Sequence, residues 1–141
     1  MEYHNAVDPT EDQLAGFLAP GDDHPIYMLN LLKYKDKAEY ADGRETDLSG
    51  AQAYGIYGAG VLEEIAAVGG HMYFAGSVDR MMLGDVEELW DDVGIAMYPS
   101  RAAMLEMIQK SSYQALAVHR EAGLAGQLNV ETSALLALKP G

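Results

Sequence analysis

The sequence predicts an α+β fold in which a four-stranded antiparallel sheet carries helices on one face. A nearly continuous apolar run from Ile26 to Tyr34 is typical of a central strand that is covered on both faces. Apolar residues at helical spacing alternate with strand-like segments along the rest of the chain. The 141 residues suffice for one domain with a sizeable core. We therefore treat residues 1–141 as a single domain, with an N-terminal helix at about 10–19 and a core at about 25–138.

Caps and periodicity predict the remaining helices. After a polar loop, Asp47 or Ser49 caps the main helix, which has apolar residues at three- and four-residue spacing and ends at Gly69-Gly70. Pro99-Ser100 starts a second helix. Ser111 and Gln114 make a capping-box pattern for a further short helix. The sequence therefore predicts one long helix and, later in the chain, a pair of shorter ones.

Three more strands are predicted after the main helix. His71 to Leu83 and Leu89 to Tyr98 form a hairpin, and Gly94 marks a bulge or a close approach of the backbone. Leu128 to Leu138 is the last strand. The order strand, helix, strand, strand, helix pair, strand is the split βαβ arrangement of the ferredoxin-like fold.

The first strand is apolar on both of its faces, with Met28 and Leu32 on one side and Leu29 and Leu31 on the other. Helices on one face of the sheet would leave an apolar patch larger than soluble monomers tolerate. A second copy of the chain is the simplest cover. We therefore predict a homodimer with sheet against sheet, a dimeric α/β barrel.

Charge and composition exclude several classes of function. The chain has 22 acidic and 9 basic residues and a formal charge of −13, so we expect neither nucleic acid nor a membrane as a partner. It has no cysteine, which excludes disulfides, zinc–thiolate sites, iron–sulfur clusters and a thiol nucleophile. The N-terminus lacks the pattern of a signal peptide, and no run approaches the roughly 20 apolar residues of a membrane span. We therefore expect a cytoplasmic protein.

Several short motifs occur in a characteristic order along the chain. They are PIYMLNLL at 25–32, AYGIYG at 53–58, WD at 90–91, YPSRAA at 98–103, and YQA at 113–115 leading to HR at 119–120. Together they resemble the family catalogued as domain of unknown function 1330 (DUF1330), within the dimeric α/β-barrel superfamily. The resemblance covers most of residues 8–130 and implies a ferredoxin-like dimer. The superfamily includes cofactor-free monooxygenases, lactone isomerases, polyketide cyclases and haem enzymes, so the resemblance implies no single reaction.

His119, Arg120 and Asp91 are the candidate catalytic residues. A histidine takes up a proton near neutral pH, and an arginine holds a carboxylate or enolate oxygen. The alternatives are a helix-end histidine and an arginine paired with an acidic neighbour. Asp91 acts as a base if it faces the interior, and is only an ion pair if it faces a cation. Of the two helical candidates, we expect His119 to reach the cavity.

Asn30, Tyr54, Tyr57 and Trp90 are the candidate substrate-binding residues. Asn30 is polar within the apolar first strand, so it either orients a ligand or bonds to neighbouring backbone or buried water. The two tyrosines share the inward face of the main helix and either line a pocket or belong to the core. Trp90 either forms a pocket wall or packs in the core.

No metal site and no bound cofactor are expected. The histidines do not pair at ligand spacing; they are His4, His24, His71 and His119. The leading hypothesis is a small-molecule enzyme that performs cofactor-free proton transfer, of isomerase, lyase, cyclase or monooxygenase type, on an apolar or aromatic substrate. The alternatives are a non-catalytic small-molecule-binding or stress-related homodimer, and a haem-dependent oxidoreductase.

Overall fold

The computed structural model describes residues 3–19, 21 and 23–136, which form an α+β fold. In chain order the elements are α1 (Glu11–Leu18), β1 (Ile26–Tyr34), α2 (Gly50–Ala67), β2 (His71–Ser77), β3 (Asp92–Tyr98), α3 (Arg101–Gln109), α4 (Ser111–Gly123) and β4 (Leu124–Thr132). The strands form one antiparallel sheet in the order β2-β3-β1-β4. The predicted ferredoxin-like fold is confirmed. Within the described residues, no helix combines the length and the apolar character that crossing a membrane requires.

The main core lies between the sheet and α2. The helix begins with a capping box, in which Ser49 and Gln52 each accept a hydrogen bond from the other's backbone N–H. Its buried side chains recur every four residues, so they form one stripe along the helix. The stripe and its partners on the sheet and α3 are Tyr57, Val61, Ile65, Ile26, Met28, Ala96, Tyr98 and Met107. Apolar burial along this stripe fixes α2 on the sheet.

Strand limits differ from the sequence-based expectation in β2, β3 and β4. β2 ends at Ser77 and β3 begins only at Asp92, so Trp90 and Asp91 precede the strand that was predicted to contain them. The register shift of the hairpin lies in β2, whereas Gly94 pairs regularly. β4 begins at Leu124, directly after α4, because Leu124 pairs with the end of β1. β4 ends at Thr132, so the described residues 133–136 of the predicted last strand are not part of it. Residues 137 and 138, the end of that predicted strand and core, lie outside the described residues.

The start of α4 also differs from the prediction. Its N-cap is Lys110, with no side-chain cap bond, so the capping box of Ser111 and Gln114 does not form. α3 and α4 are separated by this single residue, and the N–H of Gln114 bonds to the carbonyl of Lys110. Ser111 is therefore already inside the helix, where its side chain does not cap.

The face of the sheet opposite the helices, called here the open face, is apolar across all four strands. Cross-strand partners share a face, and one row of them runs Val130, Leu29, Ile95 and Phe74 from edge to edge. Phe74 is 53% and Val130 44% exposed. The apolar second face that the sequence predicted is therefore present and uncovered in the single chain.

Candidate functional site

A hydrogen-bonded polar network begins at Asn30, on the helix-covered face of the sheet. The Asn30 Oδ1 atom accepts bonds from Gln127 Nε2 at 2.6 Å and Asn129 Nδ2 at 2.5 Å. Its Nδ2 donates to the carbonyls of Met28 at 3.1 Å and Gly94 at 3.2 Å. The protein itself therefore supplies partners for both lone pairs and both N–H groups of this amide.

Replacing Asn30 with leucine should lower the free energy of unfolding by about 1–3 kcal/mol, because Gln127 and its neighbours lose their partner in a half-buried place. Urea unfolding followed by circular dichroism measures the change. Asn129→Leu is the matched control, since Asn129 is exposed and contributes one bond to the network, and it should cost less. Equal unfolding midpoints for wild type and Asn30→Leu would contradict this assignment.

Gln127 connects Asn30 to Arg120. The Arg120 Nη2 atom donates to Gln127 Oε1 at 2.7 Å and to the carbonyl of Val7 at 2.9 Å. No carboxylate of the described residues lies within ion-pair distance of Arg120, whereas Arg44 pairs with Asp42 and Arg101 with Glu131. In a chain with 22 acidic residues, this half-buried guanidinium has only neutral partners. Its Nε and Nη1 groups make no bond within the described part of the chain.

Four tyrosine rings extend from β1 along the inner side of α2. The ring centroids are 5.3 Å apart from Tyr34 to Tyr54, 5.3 Å from Tyr54 to Tyr57, and 5.9 Å from Tyr57 to Tyr113. The hydroxyls of Tyr57 and Tyr113 lie 2.9 Å apart, while that of Tyr54 bonds to none of the described residues. Burial raises the pKa of Tyr54 to about 12 and also raises the pKa of Tyr57. At neutral pH these phenols are therefore hydrogen-bond donors rather than bases.

A carboxylate stands at the Tyr34 end of this row. Asp92 Oδ2 accepts a bond from the Tyr34 hydroxyl at 2.6 Å, and burial together with this bond raises the pKa of Tyr34. Two opposite charges act on the pKa of Tyr54. After burial, the Arg120 cation acts to lower its pKa and the Asp92 carboxylate acts to raise it. Arg120 and Asp92 do not pair with each other, so the site keeps a cation and an anion apart with a phenol near both.

The side chain of His119 contacts a different part of the molecule from that of Arg120. Its Nδ1 is 2.6 Å from the hydroxyl of Tyr40. Tyr40 is buried in a small second core, which the segment 35–48 forms with α2 and α4. Tyr40 lines a cavity of about 480 Å³ within this segment, and His119 does not. Consecutive residues of a helix diverge by about 100°, so His119 and Arg120 leave α4 in different directions.

Neither Asp91 nor Trp90 bonds to a side chain of the tyrosine row. Asp91 accepts a bond from the backbone N–H of Tyr34 at 2.9 Å, and its carboxylate is 3.7 Å from Lys33 Nζ. The Trp90 indole donates to Asn5 Oδ1 at 3.0 Å, with the ring of Tyr3 packed against it at 5.1 Å. Of the residues singled out in the sequence, the structure therefore gathers Asn30, Tyr54, Tyr57 and Arg120.

Five side chains of the polar network and the tyrosine row were not singled out as site residues in the sequence; they are Tyr34, Asp92, Tyr113, Gln127 and Asn129. Asp92 was missed because β3 was predicted to start three residues too early, which directed attention to Asp91. Gln127 was missed because β4 was predicted to start at Leu128. Correct strand starts would have placed both side chains on the helix-covered face by alternation.

A second cavity, of about 180 Å³, lies between α1, the start of β1 and α3, where Phe17, Ile26 and Arg101 contribute to its wall. Neither cavity is lined by Arg120 or by the tyrosine row. Among the described residues, no three His, Asp or Glu side chains cluster in a way that could hold a metal ion.

The topology and the covered and open faces of the sheet define a protein of the ferredoxin-like α+β class. The chain is 34% identical to RPA0582, a protein of unknown function from Rhodopseudomonas palustris, over 94% of this chain and 99% of that one, with a TM-score of 0.84. Methylated RPA0582 gives 37% identity over 96% and 98% of the two chains, with a TM-score of 0.85. The chain belongs to the family of RPA0582.

A more distant structure shares the fold alone. The protein At3g17210 of Arabidopsis thaliana is 13% identical over 81% of this chain and 99% of its own, with a TM-score of 0.55. No family model matches the chain, and no curated protein does.

Proposed function

We propose that the protein is a small-molecule enzyme that moves a proton without a bound cofactor, on a carbonyl compound with an apolar or aromatic body. The observation that carries this proposal is that Arg120 and Asp92 do not pair with each other, while Asp92 bonds to Tyr34, whose ring packs 5.3 Å from that of Tyr54, and both charges act on the pKa of Tyr54. Opposite charges at half-buried positions are stabilised by pairing, and here each is held by neutral groups. Groups whose pKa is shifted by burial and by nearby charges, as that of Tyr54 is, cluster at functional sites.

Each group has a role in this proposal. The free N–H groups of Arg120 hold the carbonyl oxygen, on which negative charge develops as an enolate forms. Asp92 takes the proton from the neighbouring carbon through Oδ1, since Oδ2 accepts the Tyr34 bond. Tyr54 donates a hydrogen bond to the substrate, and return of the proton from Asp92 to carbon completes the reaction. We assign the base to Asp92 rather than to Asp91, whose carboxylate faces Lys33 and the Tyr34 amide.

The test is hydrogen–deuterium exchange at carbon, which needs no knowledge of the natural product. Enolisable probes such as pyruvate, acetoacetate and phenylpyruvate are incubated with the protein in D2O and followed by proton NMR. Exchange should exceed the buffer rate, and Asp92→Asn and Arg120→Met should each reduce it by about 100-fold or more. Asp91→Asn is the matched control and should retain exchange.

Exchange that survives in Asp92→Asn would overturn the assignment of the base. The second candidate function is non-catalytic binding of a small molecule, which the donor character of the neutral phenols also fits. Probe binding at Tyr54 and Arg120, seen by NMR, with no exchange at carbon would establish that function instead.

We propose that the protein works as a cytoplasmic homodimer and that its family is the one catalogued as DUF1330. The continuous apolar row on the open face supports the dimer. The order of the short motifs along the chain supports the family.

A further inference from the structure

Residues 3–7 form an extended segment, called here the N-terminal strap, beside β4. Ala6 and Gln127 exchange two backbone hydrogen bonds as an isolated antiparallel bridge, from Ala6 N to Gln127 O at 3.1 Å and from Gln127 N to Ala6 O at 2.9 Å. β4 is an edge strand of the sheet, and edge strands present unpaired N–H and C=O groups. The strap therefore satisfies the outward backbone N–H and C=O groups of Gln127 on this edge.

The strap packs closely against Trp90 and Gly126. Asn5 accepts the indole N–H of Trp90, the ring of Tyr3 packs against the same indole, and Trp90 is only 9% exposed. Gly126 leaves room for Asn5, because a Cβ at Gly126 would overlap the Asn5 Cβ and lie 3.0 Å from its Cγ. Trp90, which the sequence suggested as a pocket wall or core residue, serves here as the anchor of the strap.

Both partners of the Arg120 guanidinium depend on the strap. One is the Val7 carbonyl, which belongs to it, and the other is the side chain of Gln127, whose backbone is bonded to Ala6. We propose that the strap positions Arg120 for the substrate, with Val7 and Gln127 as the positioning residues. The inference rests on the proposed function for its purpose, and on these contacts for its geometry.

A positioning role has a thermodynamic consequence. If the strap bound to β4 and Trp90 raises the affinity of Arg120 for an anion, the bound anion raises the equilibrium constant for binding of the strap by the same factor. Trp90 is the only tryptophan of the chain, so the tryptophan fluorescence shows whether the strap is packed against it. Binding of an anion at Arg120 should therefore reduce acrylamide quenching of Trp90.

The first test displaces the strap without altering the site residues. Gly126→Ala should shift the Trp90 emission to the red and move the Arg120 Nε–H signal in 15N NMR towards that of a solvated arginine, in a protein that keeps the circular dichroism of the folded wild type. Gly16→Ala is the matched control, because a Cβ at this exposed position meets open space. An unchanged Trp90 spectrum in Gly126→Ala would show that the strap does not pack against Trp90 and Gly126 as described. A shifted Trp90 spectrum with an unchanged Arg120 signal would show that the strap does not position Arg120.

The second test uses benzoate as the probe and benzamide as its neutral counterpart. Ala6→Pro removes the N–H that bonds to Gln127, whereas Ala6→Ser keeps it. The proline variant should bind benzoate about tenfold more weakly than the serine variant, with little difference for benzamide. Equal benzoate affinity in the two variants would overturn the inference. A failure of carbon exchange alone leaves the Arg120 signal and the benzoate difference in place, so the two proposals fail separately.

Discussion

Replacing Gly50 with alanine should lower the free energy of unfolding by about 3 kcal/mol or more, or prevent folding. A Cβ at Gly50 would overlap the carbonyl oxygen of Lys35 and lie 2.7 Å from that of Gly123. Both obstacles are backbone atoms, and the Lys35 carbonyl already accepts the Gly50 N–H at 3.0 Å. The start of α2 and the end of α4 would have to separate, and overpacking of this kind costs about 1–3 kcal/mol even where side chains can yield.

Gly55→Ala in the same helix is the matched control. A Cβ at Gly55 meets nothing within 4 Å, so this change should stabilise the protein by up to about 1 kcal/mol through helix propensity. Urea unfolding followed by circular dichroism compares the two variants. Similar unfolding midpoints would show that α2 and α4 do not approach through their glycines.

A charge on the open face should convert the proposed dimer into a monomer. Ile95 lies in the middle of the apolar row, so Ile95→Glu would bury an unpaired carboxylate in a sheet-to-sheet interface. Light scattering at micromolar concentration should give about twice the chain mass of 15.3 kDa for the wild type, and a single chain mass for the variant.

Leu62→Glu is the control for the dimer, because Leu62 is 50% exposed on α2, on the other side of the sheet. It should leave the mass at the dimer value. A wild-type protein that is folded and monomeric at this concentration would exclude the sheet-to-sheet dimer.

The parts of the fold that depend on local interactions were predictable from the sequence. β1 is recognisable from its apolar run, and α2 from its cap at Ser49 and its four-residue stripe. Strand starts were less predictable, because Asp92 and Leu124 begin their strands through pairing with β1, which is distant in sequence.

For the candidate site too, the residues placed by local patterns were predictable, and those placed by contacts distant in sequence were not. Asn30, Tyr54 and Tyr57 lie in the two elements with the strongest local signals, and their place on the helix-covered side followed from periodicity. The choice of the proposed proton acceptor depended on which of Asp91 and Asp92 opens β3, and strand pairing decides that. The direction of Arg120 depended on Val7, more than a hundred residues away, which local patterns do not reveal.

The direct passage from α4 into β4 makes the spacing at this joint critical. Gly123 ends the helix and Leu124 opens the strand with no loop residue between them, and the pairing of β4 with β1 already shifts once at this joint, between Lys33 and Tyr34. One inserted residue would reverse the alternation of β4, turning Gln127 towards the open face and Leu128 towards the helices. The hydrogen bond from Arg120 to Gln127 connects α4 to β4 across this joint and depends on their spacing. Lineages of this family should therefore substitute residues here far more readily than they gain or lose them.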